Sequence, residues 1–108
     1  MCEPEASLVQ VSGTAAIDEH GRTLHHGDIQ AQIDCTFDKI EVLLAQAGAT
    51  LRDVAAASVF VKQRQHAQVY QERAAARGLQ EFPAVVMVAD ICRNELLFEM
   101  DAEVVVKQ

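Results

Sequence analysis

Hydrophobic and polar positions alternate most regularly near the C-terminal end of the chain. From Leu96 to Lys107, Leu96, Phe98, Met100, Ala102, Val104 and Val106 fall on one side, and Leu97, Glu99, Asp101, Glu103 and Val105 on the other. That is the period of a strand. The preceding run, Ala84 to Ile91, is apolar almost without a break and is bounded by Phe82-Pro83, which predicts a strand buried on both faces. A short polar turn joins the two, so they are expected to lie side by side. Three carboxylates then line one face of the second strand. Like charges at that spacing repel, so the face must be wet, paired with cations or turned toward a polar cleft. Chemistry is best placed there. The doubly apolar first strand needs more cover than one small domain supplies, and a partner chain is the expected source.

Earlier in the chain, residues 8–17 carry short β-type segments around Ser12-Gly13, and Asp18-Glu19-His20-Gly21 makes a turn. Thr23-Leu24 is expected to return as the second strand of a hairpin. His25-His26-Gly27-Asp28 reads as a solvated loop rather than a metal site, because neighbouring histidines in a loop are rarely preorganised. Asp28 is a suitable N-cap for an amphipathic helix with Ile29, Ile33, Phe37, Ile40, Leu43, Leu44 and Ala47 on its apolar stripe, closed by Gly48. Gln32, Asp34, Asp38, Lys39, Glu41 and Gln46 form its polar face, and Cys35 lies off the stripe as a partly covered thiol. After Leu51-Arg52-Asp53, the segment from Ser58 is strand-like, with Val59 and Val61 on one side and Ser58, Phe60 and Lys62 on the other. Gln63 to Gln65 turn. A second helix then runs from His66 to Arg77 and ends at Gly78, with Val69 as its main aliphatic anchor, Tyr70, Ala74 and Ala75 nearby, and His66 expected at the surface.

The order β-β-α-β-α-β-β, without repeats or linker, predicts a single α+β domain over residues 1–108, a two-layer sandwich with both helices on one face of the sheet. The uncovered face again asks for self-association.

Composition narrows the function. Sixteen acidic residues against nine Lys and Arg give a net charge of −7, and the cations are scattered singly. That excludes the basic stripe a phosphate backbone requires, so nucleic acid is not an expected partner. No apolar run approaches a membrane span, and the opening MCEPEASL lacks the basic and apolar regions of a signal peptide. Cys2, Cys35 and Cys92 share no metal-ligand spacing, which fits free thiols in a reducing cytoplasm. No metal or cofactor is implied.

With these segments in view, the chain resembles the RidA/YjgF family over nearly its whole length. The matching pieces are VSG (Val11 to Gly13), LLAQAGATLRDV (Leu43 to Val54), SVFVK (Ser58 to Lys62), FPA (Phe82 to Ala84) and FEMDA (Phe98 to Ala102). The resemblance implies a chorismate-mutase-like (RidA-like) fold, a homotrimer with its sheets packed inside, and small-molecule clefts between subunits. The best-known members hydrolyse reactive enamines and imines. On that pattern Glu99 matches the water-activating acid and Gly13 a cleft glycine. Val85 stands where the family has an arginine that pairs with the substrate carboxylate, and Met87 where it has a cysteine. The asparagine often found on the second helix aligns with Tyr70, and the family's N-terminal tyrosine falls before the first residue here. More weakly, ADICRNELLFEMDAE (Ala89 to Glu103) is similar to the closing segment of chorismatases, where a cysteine and a glutamate at the active site match Cys92 and Glu99. Arg93 or an arginine of a neighbouring copy is the candidate replacement for the lost anchor.

Two functions follow. One is a trimer that binds a small metabolite but is not a standard imine deaminase. The other is a hydrolase or deaminase of altered specificity, a chorismate-related ligand among its candidates, with Glu99 as general acid or base.

Overall fold

A computed structural model describes residues 6–79, 82–89 and 96–107. Over them the two periodicities of the sequence become β1 (Ala6–Thr14), α1 (Ile29–Gln46), β2 (Val54–Val61), α2 (His66–Ala76), β3 (Ala84–Val88) and β4 (Phe98–Lys107). The strands form one sheet in the order β1-β4-β2-β3. β4 pairs antiparallel with both β1 and β2, and β3 pairs parallel with β2. The parallel pair needs a long crossover, and α2 supplies it.

Alternation along β4 works as the sequence predicts. Phe98, Met100, Ala102 and Val104 are buried, while Glu99, Asp101 and Glu103 are half-exposed on the other side. Across the buried face lie both helices. Helix α1 starts where the Asp28 carboxylate accepts the Ala31 N–H (3.0 Å), satisfying one orphan donor of the first turn. Its stripe of Ile33, Phe37, Ile40 and Leu44 is fully buried. Tyr70 of α2 inserts between Phe37 and Phe98, with ring centroids 6.1 and 5.7 Å away. At the end of α2, Arg77 reaches across to Asp38 (2.9 Å) and Glu41 (2.8 Å) of α1, its guanidinium 5.1 Å from the Phe37 ring centre. Burial alone would lower that guanidinium's pKa. The bond to Asp38 and the charges of Asp38, Asp34 and Glu41 outweigh burial and raise it.

Several expectations need correction. The strands of the C-terminal half are not neighbours, because β2 lies between β3 and β4. β3 is the edge strand and is not buried on both faces. Val85 is 63% and Val88 57% exposed, and the strand ends at Val88, with Ile91 outside the described residues. An apolar run reports hydrophobicity but not which strand will pair with it. The hairpin's second strand shrinks to one bridge, Ile17 to Thr23, closed by the Asp18 turn. β2 begins at Val54, four residues before the expected start, because β4 pairs with the alanines there. Tyr70 and Ala74, not Val69, are the buried anchors of α2. Leu43 is exposed on α1, and Gln32, expected on its polar face, is fully buried. His66 is buried too, and desolvation lowers its pKa.

The aromatic insertion makes a direct prediction. Tyr70→Ala is expected to cost about 3–5 kcal/mol by denaturant unfolding, and Tyr70→Phe less than about 1.5 kcal/mol. Burial pushes the Tyr70 phenol up to about 12. Its contribution is therefore intact below the free-phenol value and lost as pH climbs from there through the folded value. Wild type should lose stability over that window by more than Tyr70→Phe does.

Candidate functional site

The face of the sheet away from the helices is assembled in cross-strand rows. Register pairs Glu99 with Phe60 and Phe60 with Met87, so these three side chains lie in one row across β4, β2 and β3. The next row is Asp101, Ser58 and Val85, and the third joins Gln10, Glu103 and Ala56. Small residues at Ala56 and Ser58 leave a depression of about 360 Å³ between the taller neighbours. Gln10, Val85, Asp101 and Glu103 are among the residues around it.

Gly13 closes the second row from β1. Val11 pairs with Ala102 but Thr14 with Met100, so Ser12-Gly13 together oppose the single Asp101. This bulge lets both Val11 and Thr14 face the core although they are three residues apart. Gly13 takes φ +60°, and its N–H donates to Asp101 Oδ1 at 2.5 Å. A Cβ there would meet open space, so glycine is needed for the backbone angle alone.

Burial beside Phe60, and then the charge of Asp101, raise the Glu99 pKa. Among the described residues, Glu99, Asp101 and Glu103 take part in no ion pair with a Lys, Arg or His. A carboxyl that holds its proton more tightly than a free glutamate is a candidate for general acid or base work.

The structure thus brings Gly13, Val85, Met87 and Glu99 onto one face. Cys92 and Arg93 lie outside the described residues. Tyr70, aligned with a family asparagine, belongs to the core on the opposite face. Sequence reasoning singles out Glu99, places Asp101 on the same face without giving it a role, and passes over Ser58 and Gln10. The signal for Asp101 was its place two residues from Glu99, but its bond to Gly13 depends on a bulge that alternation does not reveal. The paired histidines sit outside this face, His26 Nε2 donating to Thr23 O (2.9 Å). Among the described residues, no cluster of His, Cys, Asp or Glu is placed to hold a metal ion, and no helix is long and apolar enough to cross a membrane.

A four-stranded mixed sheet with two helices on one face and a carboxylate-lined face opposite defines an α+β protein of RidA-like fold. Residues 4–106 match the family described as Endoribonuclease L-PSP, and the chain belongs to this RidA/YjgF family. It is 30% identical to a Mycobacterium tuberculosis member of the YjgF/YER057c/UK114 family, the match covering 92% of this chain and 79% of that one with a TM-score of 0.74. RidA from the Antarctic bacterium Psychrobacter sp. superposes with a TM-score of 0.80 over 94% of this chain and 86% of its own, at 19% identity. A chorismatase of Streptomyces hygroscopicus is 30% identical over 110 residues, 94% of this chain and 32% of the relative. The chain spans about a third of the length of the curated relatives it matches.

Two substitutions probe the face. Gly13→Ala forces a Cβ into left-handed backbone and is expected to cost about 1–2 kcal/mol in denaturant unfolding. Glu99→Gln tests the raised acid. The folded state holds the Glu99 proton more tightly than the unfolded chain, so ionising it destabilises the fold. Stability is lost as pH rises from the ordinary glutamate range through the raised value. Glu99→Gln should therefore melt higher than wild type at neutral pH and at the same temperature once both forms are uncharged in acid.

Proposed function

We propose that the chain forms a RidA-like homotrimer that binds a small metabolite in clefts between copies, against the open face of the sheet, and is not a standard enamine or imine deaminase. The observation that carries this reading is Val85. It stands 63% exposed in the row of Ser58 and Asp101, at the place where the family's arginine would hold a substrate carboxylate. Exchanging a guanidinium for an isopropyl group removes a charge-assisted, bidentate anchor. Asp101 and Glu103, across the depression from it, repel anions. A chorismate-like dianion would meet both carboxylates, so a neutral or amine-bearing metabolite fits the depression better. Net charge of −7 argues against RNA for the same reason.

The trimer reading rests on β3. An edge strand with Val85, Met87 and Val88 exposed gains from being covered, and a ring of copies packing sheet on sheet covers it. The alternative, a hydrolase or deaminase of altered specificity, is favoured by the raised pKa of Glu99, which suits a general acid or base.

Light scattering at micromolar concentration is expected to give three times the chain mass, and ammonia release from 2-aminoacrylate no faster than in buffer. In a thermal-shift series, amines and neutral analogues should stabilise the protein where matched carboxylates do not, and Asp101→Asn should weaken that effect. A monomeric mass, or ammonia release matching an arginine-bearing family member, sinks the reading. Turnover of a ligand found this way, abolished in Glu99→Gln with binding retained, would decide for the enzyme.

A further inference from the structure

Gln32 is the polar side chain whose burial the sequence least prepares for. It sits four residues after the N-cap of α1, is fully buried, and uses both ends of its amide. Its Oε1 accepts the Leu97 N–H at 2.8 Å. Its Nε2 donates to His25 O (3.2 Å) and, at longer reach, to Leu24 O (3.4 Å). Leu97 is held from the other side as well, its carbonyl accepting the Lys62 N–H (3.1 Å) just past the end of β2. His25, at φ +55°, is a non-glycine residue in left-handed backbone, and its carbonyl also accepts the Asp28 N–H (3.0 Å). Leu96 packs beside Ala15 in a small second core that Ile17 and Phe60 border.

This clamp closes on the residue two places before Glu99. In a strand, a slip of one residue would exchange the buried and open faces, so the point at which β4 enters the sheet decides which side chain faces the site. A hydrophobic residue at position 32 would suit the core around it, yet it would leave the part-buried Leu97 N–H without its acceptor and remove a donor from the Leu24 and His25 carbonyls, the latter keeping the Asp28 N–H. We propose that Gln32 is a positioning residue for the open face: it fixes Leu97 against α1 and thereby sets how deeply Glu99 sits beside Phe60. The proposal rests on the reading of that face as the ligand site. Charged groups on the elements around Glu99 are Asp101 and Glu103 on its own strand and Lys62 after β2, and the described residues of β3 bring none.

The test is an NMR titration of the intact protein without ligand, which separates this proposal from the ligand reading. In wild type, the Leu97 amide and the Gln32 side-chain NH₂ should shift with the midpoint of Glu99. In Gln32→Met, which keeps length and loses the amide, Leu97 hydrogen exchange should quicken by about tenfold or more. The Glu99 midpoint should move back toward that of a free glutamate, with the circular dichroism unchanged. A Glu99 midpoint that stays at its wild-type value while Leu97 exchanges quickly would reduce Gln32 to a structural tie and overturn the proposal. If Gln32→Met fails to fold, the wild-type titration decides alone: Leu97 and Gln32 signals that ignore Glu99 overturn it, and signals that follow Glu99 support it. Failure of every ligand to bind would end the functional reading without altering these shifts.

Discussion

The two-sidedness of β4, paired along both edges, is the constraint on which the rest of the structure depends. Because β1 and β2 both bond to it, neither edge is free to adjust. Its alternate residues are committed to opposite environments. Phe98, Met100, Ala102 and Val104 meet α1 and α2 and complete the main core. Glu99, Asp101 and Glu103 are carried to the other face by the same backbone. The core and the candidate site are therefore one decision taken twice. Burying the apolar side by about 25 cal/mol per Å² of surface holds three carboxylates together that would otherwise separate.

That coupling also explains the bulge. β1 must keep Val11 and Thr14 in the core, and the extra residue at Ser12-Gly13 reconciles their odd spacing with the pleat. The cost is a left-handed backbone, which glycine bears without a side-chain penalty. What it yields on the open face is a backbone N–H aimed at Asp101. Asp101 is thereby tied down while Glu99, two residues away, has desolvation and a like charge acting on it. Neighbouring carboxylates on one strand acquire different characters from their surroundings.

Much of this was legible in the sequence wherever a residue's fate depends on local period. The stripe of α1, its Asp28 cap and the parity of β4 all follow from spacing alone, and the rows of the open face inherit that parity. Pairing was not legible in the same way. The apolar run at Ala84 to Val88 looks central, but it lies at the edge, because hydrophobicity says nothing about the partner. A strand, helix and strand in succession from Val54 to Val88 did carry a signal, since such a unit favours a parallel pair joined by a crossover. Gln32 and His66 were misplaced for a related reason. Polarity ranks a residue's preference for water, whereas burial of a polar group depends on partners that arrive from distant segments, here Leu97 for Gln32.

The edge position of β3 connects this error to function. Had Val85 pointed into the core, as Val59 does, its identity would be a matter of volume. At the edge it is exposed, beside Ser58 in register and one strand from Asp101. There, exchanging a cation for an isopropyl group changes the field over the depression without disturbing the core. A carboxylate-lined depression with an arginine at its margin is a site for anions held by one strong contact. On the function proposed above, the same depression with Val85 at the margin keeps the shape and favours neutral or amine-bearing ligands. The fold would tolerate such a reversal, because Val85 lies on a strand that contributes none of the buried core residues.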